Sequence, residues 1–367
     1  MTEMMTSTAE TPATGFAAAE AAREGRRQEP ETALSERDVS PAPPSPERIL
    51  QLIMGFNASG IVGAAATYDL FTLIEHGIAT PDALVARTGL SPRGVQALLD
   101  GLTGLGLLQV HDGAYANAAD AASFLVEGVP ANFAPLARTM LADLPVWARL
   151  PEAVRSGAPV EPQDAPEDSF WEQLVPAIAP STYPVAVAIA ELLRIGEQGP
   201  VEILDVGGGS GIVSAVLLAH NRQARATQLD WANVNRLARG YAARFGVGDR
   251  FSTIDGDLHT ADYGAGYDIA IYANVAHQES PEDNRAAFRK LRAALRPGGS
   301  LVVDDFVLED DRTGHPFVGM FHVNMLLHSR AGATWRRRDY ESWLDEAGFA
   351  DRSFVPTATP STLILAR

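Results

Sequence analysis

Ile203-Leu204-Asp205-Val206-Gly207-Gly208-Gly209-Ser210-Gly211 reads as a buried strand running into a glycine turn, with a helix expected over 212–219. Glycine lets the backbone adopt positive φ and approach a ligand closely, and doubly wound sheets bind ligands at the carboxyl ends of their strands. Four glycines in five residues are more than an ordinary strand-to-helix turn needs, so the stretch predicts a nucleoside cradle. A dinucleotide fingerprint wants Gly-x-Gly-x-x-Gly. Here the third glycine arrives one residue early and Ile212 stands in its place, leaving Asp-x-Gly-x-Gly-x-Gly. Asp230, nineteen residues after Gly211 at the end of the next strand candidate, can accept hydrogen bonds from both hydroxyls of a ribose. Gly256-Asp257 follows the third strand candidate, where a carboxylate can face an adenine amino group.

Around this centre, short apolar runs at 201–206, 226–229, 251–254, 267–272, 300–304 and 362–366 alternate with helical patterns. The pattern predicts an α/β, Rossmann-like, mostly parallel sheet over 199–367. Upstream, 46–130 reads as a helical, winged-helix-like unit. Thr80-Pro81 and Ser91-Pro92 each open a helix with a cap and a proline at the first helical position. Leu107 to Val110, Asp112-Gly113 and Tyr115 read as a short hairpin. A DNA-reading helix-turn-helix would need cations on its second helix, and only Arg93 is present, so a dimerisation role is expected. Residues 131–198 read as a mostly helical connector contributing to a substrate pocket, broken by a Pro- and acid-rich loop over 158–168. Residues 1–45 read as a disordered tail without the apolar core of a signal peptide.

The composition excludes several classes. With 29 Lys+Arg against 46 Asp+Glu the formal charge is -17, which disfavours nucleic acid and anionic membrane surfaces as partners. Zero cysteines remove disulfides, thiolate metal sites and thiol nucleophiles, and fit a cytoplasmic protein. The charge-free stretch 49–68 is long enough to span a bilayer. Gln51, Asn57, Ser59 and its small residues make it only mildly apolar, so a dimer-buried helix is expected instead.

From about residue 46 to the end, the chain resembles the dimeric small-molecule O-methyltransferases of the class I S-adenosylmethionine-dependent type, found in plant phenylpropanoid and bacterial polyketide or antibiotic pathways. The resemblance rests on Asp205 to Gly211, Asp230, Gly256-Asp257, Asn274-Val275-Ala276-His277, Leu295-Arg296-Pro297-Gly298-Gly299 and Glu346-Ala347-Gly348-Phe349. It implies a homodimer that binds S-adenosylmethionine and releases S-adenosylhomocysteine. It further implies that Asp205, Gly207, Gly209 and Gly211 hold the methionine end, Asp230 the ribose, and Asp257, with Leu258 and Asn274 nearby, the rest of the cofactor. His277 aligns with the general base that takes the acceptor's proton, a task suited to imidazole near neutral pH.

Two positions depart from the family pattern. Gln278 stands where an Asp usually follows the base, and Thr334 where a Glu usually assists it, while Asp305 aligns with an acid that could still orient His277. A second chemistry is therefore open: His277, Gln278 and His328, with His322 as a spare, could hold a divalent metal for carbon methylation of an enolisable 2-oxo acid. Otherwise Phe170, Trp171, Met320, Phe321, Asn324, Met325 and His328 would line a flat apolar acceptor site. A third reading is a catalytically silent binding protein that keeps the fold. The run Trp335-Arg336-Arg337-Arg338-Asp339 is expected to be a solvated helix face rather than an anion patch.

Overall fold

A computed structural model describes residues 45–162 and 169–367. The tail expected over 1–45 falls almost wholly outside the described residues, as does the end of the acidic loop. By its internal contacts the chain divides into two units, one ending at Ala142 and one running from Asp143 to Arg367.

The first unit opens with α1 (Glu47–Thr67) and α2 (Leu70–Glu75), followed by α3 (Pro81–Thr88) and α4 (Pro92–Gly104). The Thr80 and Ser91 hydroxyls accept from the amides of Ala83 and Gly94, so both expected caps form. Strands β1 (Leu108–His111) and β2 (Ala114–Asn117) pair antiparallel across Asp112-Gly113, both at positive φ as a tight hairpin turn demands. Val95, Leu99 and Leu102 of α4 pack on Leu70, Phe71, Leu84 and Leu108, with α5 (Ala119–Phe124) closing that core through Ala121. Helix α1 is different. Ile49, Leu50, Leu52, Ile53, Met54 and Phe56 are all more than half exposed, although the helix is long and apolar enough by composition to cross a bilayer. Helix α6 (Ala134–Trp147) then leads from the first unit into the second.

In the second unit, α7 (Leu150–Ser156) and α8 (Ser169–Leu192) precede a seven-stranded sheet. Its strands are β3 (Glu202–Val206), β4 (Arg225–Asp230), β5 (Phe251–Asp255), β6 (Tyr267–Ala273), β7 (Leu295–Asp305), β8 (Arg352–Pro356) and β9 (Thr362–Ala366). They lie in the order β5-β4-β3-β6-β7-β9-β8, and only β9 runs against the rest. Helices α9 (Ile212–His220) and α10 (Ala232–Arg244) join α8 in one apolar layer, built on Ile189, Ile203, Val216, Leu217 and Ile271. Helices α11 (Pro281–Ala294) and α13 (Arg337–Ala347) form the other layer through Phe288, Leu291, Tyr340 and Trp343. Helix α12 (Pro316–His328) follows β7.

The expected α/β sheet is therefore present, with one strand more than the pattern showed. β8 escaped because it is an edge strand: Ser353 and Pro356 are exposed and no apolar alternation marks it. β7 also begins five residues earlier than the run at 300, its first part distorted by a register shift against β6. The arginine run behaves as a structural face: Arg336 pairs with Asp339 at the start of α13, and Arg337 reaches Glu309 and stacks over Phe354.

Candidate active site

The strand order reverses at β3, where β4 lies on one side and β6 on the other, and such a switch point opens a crevice at the carboxyl edge. The glycine turn after β3, Asp230 at the end of β4, Asp257 after β5, His277 after β6 and Asp305 at the end of β7 all come to that edge. Residues spread over a hundred positions meet because every one of these strands points the same way.

On the nucleoside side, the turn is packed tightly from below. A Cβ on Gly208 would meet Gln228 Oε1 at 2.5 Å, and Gly207, at φ +68°, would meet Val275 at 2.6 Å. Above Gly209, by contrast, a Cβ would touch only Val175, at an ordinary 3.9 Å, so this face of the turn is less tightly packed than the other. Asp205 is fully buried and accepts from Ser214 Oγ at 2.7 Å, while its other oxygen, Oδ1, has no protein partner. Burial pushes its carboxyl up to about 6, against the pull of the Ser214 hydrogen bonds. Asp230 is only partly buried. Its two oxygens accept from the Gly209 amide at 2.9 Å and the Trp231 amide at 2.7 Å, tying β4 to the glycine turn. Desolvation raises it to about 7, more than those two amides lower it. A positioned acceptor beside the glycine turn fits a ribose diol. Asp257 is half-buried and holds its own loop by accepting from the His259 amide, and Leu258 packs on the sheet. Asn274, at φ +57°, has its side-chain amide committed to Asp304 at 2.9 Å.

On the reaction side, His277 sits in a short 3-10 turn and is almost fully buried. Its Nδ1 lies 2.7 Å from Asp305 Oδ1, and its backbone amide donates to Asp305 Oδ2 at 3.0 Å. A carboxylate facing Nδ1 fixes the tautomer with the proton there and the lone pair on Nε2. Asp305 thus provides the orienting acid that neither Gln278 nor Thr334 supplies. The imidazole packs edge-on to Phe321 at 4.9 Å and lies 5.8 Å from Phe306, while Phe317 completes the group at 5.6 Å from Phe321 and 5.0 Å from Phe306. Sequence reasoning found Phe321 and missed the other two. Phe317 lies one turn before Phe321 on the same face of α12, and Phe306 directly follows Asp305; both spacings could have pointed to them.

The remaining acceptor candidates divide. Asn324 and Met325 continue the Phe321 face of α12, Met325 being buried, whereas Met320 is 59% exposed. Trp171, beside Phe170 on α8, stacks edge-on with Trp231, the neighbour of Asp230, which places this pair on the nucleoside side. His328 is buried against Asp143, with Nε2 3.2 Å from the carboxylate, and His322 bonds Thr334 Oγ1 at 2.8 Å. The alternative metal reading of His277, Gln278 and His328 gains no support from this geometry. His277 turns Nδ1 to Asp305, Gln278 donates its amide back to Asn274 O, and His328 Nε2 lies against Asp143. Among the described residues, the His and carboxylate groups close enough to share an ion are instead His259, Glu279 and Asp283.

Gly332 was not anticipated. A Cβ there would collide with the His277 carbonyl and come within 2.9 Å of Gln278 Cα, so only glycine lets this loop pass beneath the turn. Gly332→Ala is expected to lower kcat about tenfold by displacing His277, since small misplacements of reacting groups are costly. An unaltered kcat in that variant would refute this account of the loop.

Comparison with known proteins agrees with this geometry. Residues 50–127 match the O-methyltransferase dimerisation domain and residues 186–350 the O-methyltransferase domain. A tetracenomycin polyketide synthesis 8-O-methyl transferase of Streptomyces glaucescens is 30% identical over 335 residues, covering 88% of this chain and 96% of the relative. A 3-hydroxy-5-methyl-1-naphthoate 3-O-methyltransferase of Streptomyces sahachiroi is 29% identical over 330 residues, covering 86% and 92%. Human N-acetylserotonin methyltransferase, solved with S-adenosylmethionine, shares the fold at a TM-score of 0.78 and 22% identity, covering 89% of this chain and 99% of that one. Neither the metal-assisted carbon methylation nor the silent binding protein is favoured by these relatives. With the nucleoside edge, the oriented histidine and both domain matches in hand, the chain belongs to the O-methyltransferase family and is an S-adenosylmethionine-dependent methyltransferase.

Proposed function

We propose that this enzyme methylates a phenolic hydroxyl on a flat aromatic secondary metabolite of polyketide or related origin, with His277 as general base and Asp305 as its orienting partner. The observation that carries the reading is the aromatic group of Phe306, Phe317 and Phe321 packed around an imidazole whose Nδ1 is already taken by Asp305. Ring faces and edges at these spacings favour a planar aromatic acceptor, and the Nε2 lone pair is left for its hydroxyl proton. Two relatives act on fused-ring or polyketide hydroxyls, as their names state, which supports the same class.

S-adenosylmethionine supplies a methyl group on a sulfonium, so this chain needs neither a nucleophile nor a second activator. Asp205 shapes the glycine turn, Asp230 would accept from the ribose and Asp257 would face the adenine. His277 takes the proton, and Asp305 stabilises the imidazolium that results. The phenylalanines hold the acceptor and exclude water, and fixing two reactants in line supplies much of the rate.

The test is thermal stabilisation of chelator-treated protein. S-adenosylmethionine and S-adenosylhomocysteine near a hundredfold over Kd should each add about 2.7 kcal/mol, a rise of several degrees, unchanged by divalent metals and absent with NAD. A panel of hydroxynaphthoates and hydroxylated polyketide aromatics, assayed by S-adenosylhomocysteine formation, then seeks the acceptor. No shift with either nucleoside would overturn the reading.

The exposed stripe of α1 lies, from Leu50 onward, within the matched dimerisation domain, and we assign it to a homodimer. An Ile53→Glu/Phe56→Glu variant should sediment as a monomer where the parent sediments as a dimer; equal sedimentation of the two would defeat the assignment. The cysteine-free composition and small-molecule chemistry support a cytoplasmic site of action.

A further inference from the structure

The loop after β5 and the turn that carries His277 belong to different halves of the site, one facing the nucleoside and one the reaction. They meet at a residue with no role in either. His259 follows Asp257 and Leu258, and its backbone amide donates to Asp257 Oδ1 at 2.7 Å, so Asp257 and His259 keep a fixed relation. Its imidazole reaches across to Glu279, with Nε2 3.3 Å from Oε2, while Nδ1 lies 3.8 Å from Asp283 on α11. Lys290, also on α11, donates to the carbonyls of Leu258, His259 and Ala261 and fastens the loop from behind.

Glu279 lies two residues beyond His277 and closes the 3-10 turn, its amide donating to Ala276 O at 3.3 Å. The same Ala276 carbonyl accepts from Asn284 and Trp335, and the His277 amide donates to Asp305, so the turn is anchored toward α11, α13 and β7. The His259 to Glu279 contact adds a tie toward the nucleoside loop. The Glu279 carboxyl feels both loops: burial raises it, Asp283 and Asp257 raise it further, and His259 and His277 draw it down.

We propose that His259 is a positioning residue, latching the Asp257 loop to the His277 turn through Glu279 so that seating the adenine also sets the general base. The position suits this chain, because Gln278 stands where the family's usual acid would be and the next carboxylate along the turn is the one His259 reaches. His259 is nearly half exposed, and the 3-10 turn keeps its bonds to Asn284, Trp335 and Asp305 without it, so removing the imidazole should leave the fold intact.

The proposal rests on the methyltransferase reading, in which Asp257 and Leu258 face the adenine, and its test needs no acceptor. Adenosine carries the adenine and ribose but not the methionine end, so it loads the nucleoside loop without reaching His277. In the full chain labelled at histidine Cε1, with the His277 resonance assigned by its loss in His277→Asn, adenosine should shift that resonance. The shift should vanish in His259→Ala and in Glu279→Ala and return in His259→Gln, whose amide can still donate to Glu279. S-adenosylhomocysteine affinity should fall about fivefold in each alanine variant and no further in the double variant, the non-additivity of a coupled pair. A shift that persists in either alanine variant, one missing from the parent, or a double variant equal to the product of the two singles would overturn the latch. If neither nucleoside binds the parent protein, the methyltransferase reading itself has failed, and the latch with it.

Discussion

His277→Ala is expected to lower kcat by about 10²- to 10⁴-fold, the range for losing a positioned general base. Affinity for S-adenosylhomocysteine should be preserved. The two effects separate because His277 belongs to the turn after β6, whereas Asp205, the glycine turn, Asp230 and Asp257, which we propose hold the nucleoside, lie at or just after the ends of β3, β4 and β5. Asp305→Asn tests the same apparatus from behind. An amide can offer Nδ1 an oxygen but cannot stabilise the imidazolium, and it no longer supplies a carboxylate to the His277 and Phe306 amides, which donate at 3.0 and 2.7 Å. The loss should approach that of His277→Ala, and the double variant should be little worse than either single, because the two residues act as one unit. Both are read from single-turnover methyl transfer with an acceptor drawn from the phenol panel. Full activity in His277→Ala would remove general-base catalysis from this enzyme and leave positioning alone to carry the rate.

The candidate nucleoside half of this site was legible in the sequence because its chemistry depends on local spacing. Asp205 to Gly211 is a contiguous signal, and Asp230 and Asp257 each end a strand whose apolar run announces it. The reaction half is assembled from tertiary packing. That Asp305 serves His277 follows from β6 and β7 being parallel neighbours, with Ala273 opposite Asp304, a register no one-dimensional pattern contains. Phe306 and Phe317 look like ordinary core residues until α12 folds against the turn. The place of His328 depended on which way its helix faces, which the sequence does not fix; in the structure its Nε2 lies 3.2 Å from Asp143. Gly332 is a loop glycine like many others by sequence, and only the nearby His277 carbonyl reveals why a side chain cannot stand there.

The second large effect is a pH dependence of cofactor affinity centred on Asp230. Its carboxyl is raised to about 7 in the free protein, chiefly by burial and further by Asp205, against the opposing amides of Gly209 and Trp231. The sign follows from what the ribose requires. Two hydroxyl donors favour the ionised carboxylate, so binding is strongest where Asp230 is already deprotonated and weakens as pH falls through 7. Below that point each pH unit should cost up to about tenfold in affinity, one proton being released per ligand bound. Asp205 titrates lower, at about 6, so its contribution appears only after the Asp230 step has begun. Asp230→Asn separates the two. It should weaken S-adenosylhomocysteine binding about 10- to 100-fold at pH 8, the scale of losing a charged acceptor, and abolish the step near 7. Titrations between pH 8.5 and 5.5, repeated in two buffers of different ionisation enthalpy, read both the affinity and the proton released. An affinity flat across that range, or a step at 7 that survives in Asp230→Asn, would mean that the ribose is held by another group and that the partly buried carboxylate at the end of β4 only braces the glycine turn through Gly209.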